Sequence, residues 1–100
     1  MPWYIVKQKI LFKQGFRFIM LFSIIIPAFN AERYLHDSLK SIRMQTFTDY
    51  ETIIVDDGSK DKESLEKLKE IEKMDNRVVV YHKENGGPSV ARDYGIEKSN

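Results

Sequence analysis

The sequence predicts an α/β fold built on a parallel sheet, and three observations carry that expectation. Two short, nearly continuous runs of apolar, largely β-branched residues, at 21–26 and 52–55, have the composition of strands buried on both faces. Apolar residues at helical spacing follow each run. The connections are short, and the resulting β-α-β-α-β-α order implies parallel strands, right-handed crossovers and helices on the faces of the sheet.

The elements follow in order. Leu21-Phe22-Ser23-Ile24-Ile25-Ile26 is the first strand of the parallel set. Asn30 is a plausible N-cap for the helix whose inner face is Leu35, Leu39 and Ile42. Thr52-Ile53-Ile54-Val55 is the second strand, closed by Asp56-Asp57-Gly58-Ser59. A second helix is expected over residues 61–74, with Leu65, Leu68 and Ile71 as its apolar stripe. Glu63 with Lys67, and Glu66 with Lys69, are placed to pair on its wet side. Arg77-Val78-Val79-Val80-Tyr81 reads as the third strand. Gly86-Gly87 breaks the chain, and Pro88 suits the first position of a third helix, which Gly95 weakens.

Composition narrows the function classes. With 100 residues, 42% apolar and 31% charged, the chain is an ordinary globular domain or part of one. Without cysteine it has no disulfide framework and no thiol chemistry, which fits a reducing cytoplasm. The net charge of +1 divides unevenly. Residues 1–19 carry Lys7, Lys9, Lys13 and Arg17 and no acid, giving +4, while twelve Lys/Arg against fifteen Asp/Glu leave the remainder at −3. That remainder lacks the basic excess a nucleic-acid backbone requires. Residues 1–19 are therefore set apart as a basic, amphipathic N-terminal extension, expected to be a loose leader, with contact at a membrane surface as the alternative. The longest apolar run, at 18–27, is broken by Ser23 and falls short of the roughly 20 residues of a membrane span. It also reads straight into the fold, which argues against a cleaved signal.

Chemistry in an open parallel sheet gathers beyond the carboxyl ends of its strands. Three segments end there: Pro27-Ala28-Phe29-Asn30-Ala31-Glu32, Asp56-Asp57-Gly58-Ser59, and Lys83-Glu84-Asn85-Gly86-Gly87. Each has a plain structural explanation. Asn30 caps a helix, Glu32 favours its first turn, Gly58 makes a tight turn with Ser59 or Asp61 as the next cap, and Gly86-Gly87 is a loop. Asp56-Asp57 is harder to explain that way, because adjacent carboxylates at a strand end need compensating donors. A strand-end Asp reaching a base or a ribose hydroxyl is one use, and magnesium or manganese ligation is another. Adjacent side chains diverge, which disfavours joint ligation of one ion. There is no G-x-G-x-x-G or P-loop fingerprint, and Ser59 lacks the surroundings of a nucleophile elbow. Two histidines, His36 and His82, do not make a zinc site.

Taken together the motifs resemble family 2 glycosyltransferases. Ser23-Ile24-Ile25-Ile26-Pro27-Ala28-Phe29-Asn30-Ala31-Glu32-Arg33-Tyr34-Leu35 is similar to the opening of that family, and Gln45-Thr46-Phe47 continues the likeness. Val55-Asp56-Asp57-Gly58-Ser59-Lys60-Asp61 resembles its V-D-D-G-S-x-D signature. Glu84-Asn85-Gly86-Gly87 and Ala91-Arg92-Asp93-Tyr94-Gly95 resemble its third segment, so the likeness spans about residues 21–98. It implies a Rossmann-like parallel sheet, the β-α-β-α-β-α half of a GT-A fold that binds a nucleotide-diphosphate sugar. By position, Pro27, Ala28 and Phe29 would line the base pocket, Glu32 would lie near the ribose, and Asp56 would hydrogen-bond the base, commonly uracil. Asp57, Asn85 and Arg92 would support the ribose or the walls of the site, and Arg92 also suits the diphosphate. Phe29 stands where the family commonly has Tyr, and Asp93 where it commonly has Asn.

The resemblance also sets expectations for the whole protein. It implies transfer of a sugar from a nucleotide-diphosphate sugar, with a UDP-sugar as the leading donor, to an acceptor hydroxyl in polysaccharide biosynthesis. The setting is the cytoplasm, at the inner face of the membrane if residues 1–19 touch it. The family's D-x-D motif, which holds a magnesium or manganese ion against the diphosphate, and its general base fall beyond residue 100. No catalytic or metal-binding residue is therefore assigned in this chain, and on this reading it would be inactive alone. The alternative is a non-catalytic or vestigial nucleotide-binding module.

Overall fold

A computed structural model describes residues 4–13, 17–29, 32–45 and 50–99, and their side chains from Phe22 onward except those of residues 32–34. Four strands form one sheet in the order β1-β2-β3-β4. They are β1 (Tyr4–Lys13), β2 (Arg17–Ala28), β3 (Tyr50–Asp57) and β4 (Val78–Lys83). Three helices alternate with the last three strands: α1 (Glu32–Arg43), α2 (Lys62–Met74) and α3 (Pro88–Lys98). The pairs β2–β3 and β3–β4 are parallel, as the strand–helix alternation predicts.

The parallel strands are continuous apolar runs because both of their faces are covered. Ile24, Ile25 and Ile26 are consecutive, point to alternate faces, and are all fully buried. On one face Ile24, Ile26 and Ile54 pack with Leu35, Leu39 and Ile42 of α1 and with Leu68 and Ile71 of α2. On the other, Ile25, Ile53 and Val55 pack with Ala91 of α3, with Tyr81 and Tyr94 at the margin. Two successive crossovers in one direction place α1 and α2 together, and α3 returns over β2 and β3 on the opposite side.

Local signals set the helix ends. Asp61 caps α2 by accepting the Ser64 N–H at 3.0 Å, and Pro88 opens α3 directly after Gly87. The expected cap Asn30 lies outside the described residues. The wet side of α2 carries Lys62–Glu66 and Lys67–Glu70 pairs, both at 3.9 Å, instead of Glu63–Lys67 and Glu66–Lys69. Exposed pairs of this kind are nearly degenerate in energy, so sequence spacing does not choose among them. Glu72 reaches past its helix to accept the Val80 N–H at 2.8 Å, covering one donor on the outer edge of β4.

Two findings depart from the sequence expectation. The backbone of the N-terminal extension is not apart from the sheet: residues 4–13 pair antiparallel with β2, from Tyr4↔Ile25 to Lys13↔Arg17. β2 is long enough to offer that edge because it begins at Arg17, upstream of the apolar run. Strands β3 and β4 also reach further than expected, to Asp57 and Lys83, so the acidic pair and its basic neighbours belong to the sheet itself. Among the described residues, no helix is long and apolar enough to cross a membrane.

Gly95 explains its own place in α3. A Cβ there would come within 2.7 Å of Ile25 Cγ2 and 3.1 Å of Val55 Cγ2, so only glycine lets the helix lie this close to the sheet. Gly95→Ala gains about 1 kcal/mol of helix propensity but overpacks a fully buried, β-branched neighbour at a cost of about 1–3 kcal/mol. The expected net result is a lowered melting temperature by circular dichroism. An unchanged or raised value would show that the sheet can yield at this point.

Candidate functional site: two acid–base rungs at the strand ends

The parallel register brings four ionisable side chains into two rows. Asp56 stands beside His82, and Asp57 beside Lys83. Adjacent residues of a strand point to opposite faces, so the two carboxylates diverge. Asp56 turns to the α1/α2 side and Asp57 to the α3 side, each with a base from the neighbouring strand on the same face. Both aspartates are almost completely buried, at 2% and 3% exposure. Buried carboxylates require such partners, since unpaired charge in a low-dielectric setting is strongly disfavoured.

Asp57 ties two loops together. Its Oδ1 accepts Lys83 Nζ at 2.9 Å and the Gly86 N–H at 2.9 Å. Its Oδ2 accepts the Gly87 N–H at 2.9 Å and Asn85 Nδ2 at 3.3 Å. Asn85 Nδ2 also bonds the Asp57 carbonyl at 2.9 Å, and Lys83 Nζ reaches the Glu84 carbonyl. Burial opposes ionisation of Asp57, but the bonds from Lys83, Gly86 and Gly87 outweigh it and hold the carboxyl below its ordinary value of 3.8. With four donors on two oxygens the group is saturated, and its work is to fix the loop between β4 and α3.

Asp56 shapes the neighbouring turn. Its Oδ1 accepts the Ser59 N–H at 3.0 Å and its Oδ2 lies 2.8 Å from His82 Nδ1. Gly58 makes this turn possible: its φ is +82°, and a Cβ would stand 2.7 Å from the Asn85 nitrogen. Between the two loops opens a pocket of about 600 Å³ lined by Asp56, Gly58, Ser59, Lys60, Leu65, His82, Lys83, Glu84 and Asn85.

Of the residues to which the resemblance gives a binding role, Asp56 and Asn85 line this pocket. Asp57 lies behind it and builds its wall. Pro27 and Ala28 are one strand away, with Ala28 in the same row as Asp56, and Phe29 is half exposed at the end of β2. Glu32 begins α1, and its side chain is outside the described set. Arg92 lies on α3 away from the pocket lining, 3.5 Å from Asp93, whose side chain is 70% exposed. Lys60, Leu65 and His82 are the pocket residues outside the strand-end segments singled out from sequence. The sequence places His82 at the end of the third strand, and only the β3–β4 register sets it beside Asp56.

The site does not fit a divalent ion. The carboxylates of Asp56 and Asp57 face opposite sides of the sheet and each is already engaged, and no group of three ligating side chains exists among the described residues. No chemical step is assigned to a metal at these residues.

These hydrogen-bonded loops stand at the carboxyl ends of the parallel strands, where open α/β sheets take their ligands. The model of the glycosyl transferase family 2 matches residues 23–100, and the chain belongs to that family. It is 42% identical over 74 residues to the glycosyltransferase GlyA of Streptococcus pneumoniae serotype 4, covering 74% of this chain and 10% of that protein. Over 79 residues it is 42% identical to the glycosyltransferase EpsJ of Bacillus subtilis (strain 168), covering 79% of this chain and 23% of that protein. A second Bacillus subtilis protein, named for teichuronic acid biosynthesis as the glycosyltransferase TuaG, is 41% identical over 80 residues, covering 79% of this chain and 31% of that protein. The chain thus spans between 10% and 31% of the length of these relatives.

The Asp57 tie has a measurable pH signature. Its carboxyl ionises more readily folded than unfolded, so its stabilisation is present above the ordinary value of 3.8 and is lost as pH falls through the lower folded value. Asp57→Asn is expected to cost roughly 2–4 kcal/mol at neutral pH, because Lys83 loses its counter-charge inside the loop. It should also flatten the acid limb of stability below about pH 4. Urea unfolding followed by circular dichroism at neutral and acid pH checks both, and an acid limb as steep as the parent's would refute the assignment.

Proposed function

We propose that this chain is the donor-nucleotide part of a glycosyltransferase and holds the nucleoside end of a nucleotide-diphosphate sugar between the β3–α2 turn and the β4–α3 loop. The observation that carries the reading is the pocket at the carboxyl ends of β3 and β4, lined by Asp56 and Asn85, in a chain matched by the family over residues 23–100. Its walls are held in place before a ligand arrives, since Asp57 and Gly58 lock the two loops together. Preorganisation of this kind lowers the cost of binding.

In this reading the donor is a UDP-sugar and Asp56 serves the base end. Pro27, Ala28, Phe29 and Glu32 border the nucleoside from β2 and α1, and Arg92 faces the diphosphate side. In the intact protein a magnesium or manganese ion, held by residues outside this chain, would balance charge on the leaving diphosphate. The acceptor belongs to polysaccharide synthesis, as the name of the relative TuaG suggests for that protein. A cytoplasmic position, with the +4 charge of residues 1–19 at the inner membrane surface, is part of the same proposal.

Titration of the 100-residue chain with uridine diphosphate, followed by 1H–15N NMR, tests the reading. Base and ribose contacts worth about 1 kcal/mol each give an expected dissociation constant in the high micromolar to millimolar range. Shifts should centre on residues 56–60 and 82–87. Asp56→Ala should abolish them, while Glu63→Ala, on the exposed face of α2, should leave them unchanged. Dispersed spectra with no shifts in these loops at millimolar nucleotide would overturn the proposal.

A further inference from the structure

The acid at the base end of the pocket is not its most accessible acceptor. The Asp56 side chain is 3% exposed, whereas the His82 ring beside it is 56% exposed and lines the same pocket. Asp56 already accepts Ser59 N–H on one oxygen and faces His82 Nδ1 at 2.8 Å with the other. An ionised carboxylate only accepts hydrogen bonds, so the ring must present N–H at Nδ1. In a neutral imidazole that choice leaves a lone pair on Nε2, the nitrogen across the ring, because the bond made by one nitrogen sets the state of the other. Among the described residues no protein group bonds His82 Nε2.

We infer that His82 Nε2 is the acceptor that reads an N–H donor on the nucleotide base, with Asp56 as the positioning residue that fixes its tautomer and orientation. The inference rests on the nucleotide reading of the pocket and adds the residue that decides base selectivity. A base with an imide N–H, such as uracil, completes the bond. Cytosine places a lone pair at the equivalent ring nitrogen, so two acceptors would meet. A buried polar group left unpaired is a strong source of discrimination, stronger than loss of apolar contact.

The experiment compares uridine diphosphate with cytidine diphosphate on the full chain at about pH 8.5, well above the ordinary imidazole range. Ring tautomers are read by long-range 1H–15N spectra without ligand. The parent should show His82 with N–H at Nδ1 and prefer uridine diphosphate by at least about tenfold. His82→Ala should weaken uridine diphosphate about five- to tenfold and bring the two nucleotides level. Asp56→Asn can offer an amide N–H to Nδ1, which turns the ring to the Nε2–H form and should reverse the preference toward cytidine diphosphate, an outcome that a purely structural role for Asp56 would not produce. An Nε2–H ring in the parent, or selectivity that survives His82→Ala, overturns the assignment and leaves the nucleotide reading standing. Failure of the parent to bind either nucleotide removes both. Should Asp56→Asn not fold, the parent tautomer and His82→Ala decide the question.

Discussion

The parallel register of β3 against β4 is the constraint on which the carboxyl end of this sheet depends. It sets Asp56 beside His82 and Asp57 beside Lys83, one base on the same face as each acid. Side chains alternate along a strand, so a slip of one residue would turn each acid to the other face and away from its partner. Two neighbouring carboxylates at 2% and 3% exposure are stable here only because the adjoining strand supplies a base to each. The apolar residues upstream hold that register, since Ile53 and Val55 face α3 while Ile54 faces α1 and α2.

From this register the two acids acquire different work. Asp57, saturated by a lysine, an asparagine and two backbone N–H groups, joins the end of β3 to the loop before α3. Asp56 faces the pocket with a histidine between its carboxylate and the solvent. Chemically identical neighbours are thus separated into a wall and a lining by strand alternation alone. The close approaches at Gly58 and Gly95 serve the same arrangement. One lets the β3–α2 turn touch Asn85, and the other lets α3 settle on Ile25 and Val55, which holds the helix and its leading loop over the strand ends.

Much of this is legible in the residues. The unbroken run Ile24-Ile25-Ile26 can only be buried on both faces, which requires helices on both sides of a parallel sheet. Pro88 after two glycines marks the start of α3, and Asp61 three residues before Ser64 marks that of α2. The motif Asp56-Asp57-Gly58-Ser59 announces that compensating donors must be near, because charge at a strand end demands them. These are local statements, set by burial pattern, backbone freedom and capping, and a single stretch of chain contains all the information they need.

Other features exist only once distant segments meet. The pairing of Tyr4–Lys13 with β2 is one: a mixed run of cations and apolar residues suits a surface helix or an edge strand equally well, and the open backbone donors and acceptors on β2 decide between them. The exchange of ion-pair partners on α2 is another, resting on energy differences too small for spacing to resolve. His82 is the most consequential. Twenty-six residues separate it from Asp56, and only strand register converts that separation into a 2.8 Å contact. The sequence by itself determined the alternation of strands and helices from Leu21 onward and where charge would gather, because those follow from local chemistry. Which base stands against which acid, and therefore which atom the pocket presents, was decided by tertiary structure, because hydrogen bonds between strands depend on alignment and not on proximity along the chain.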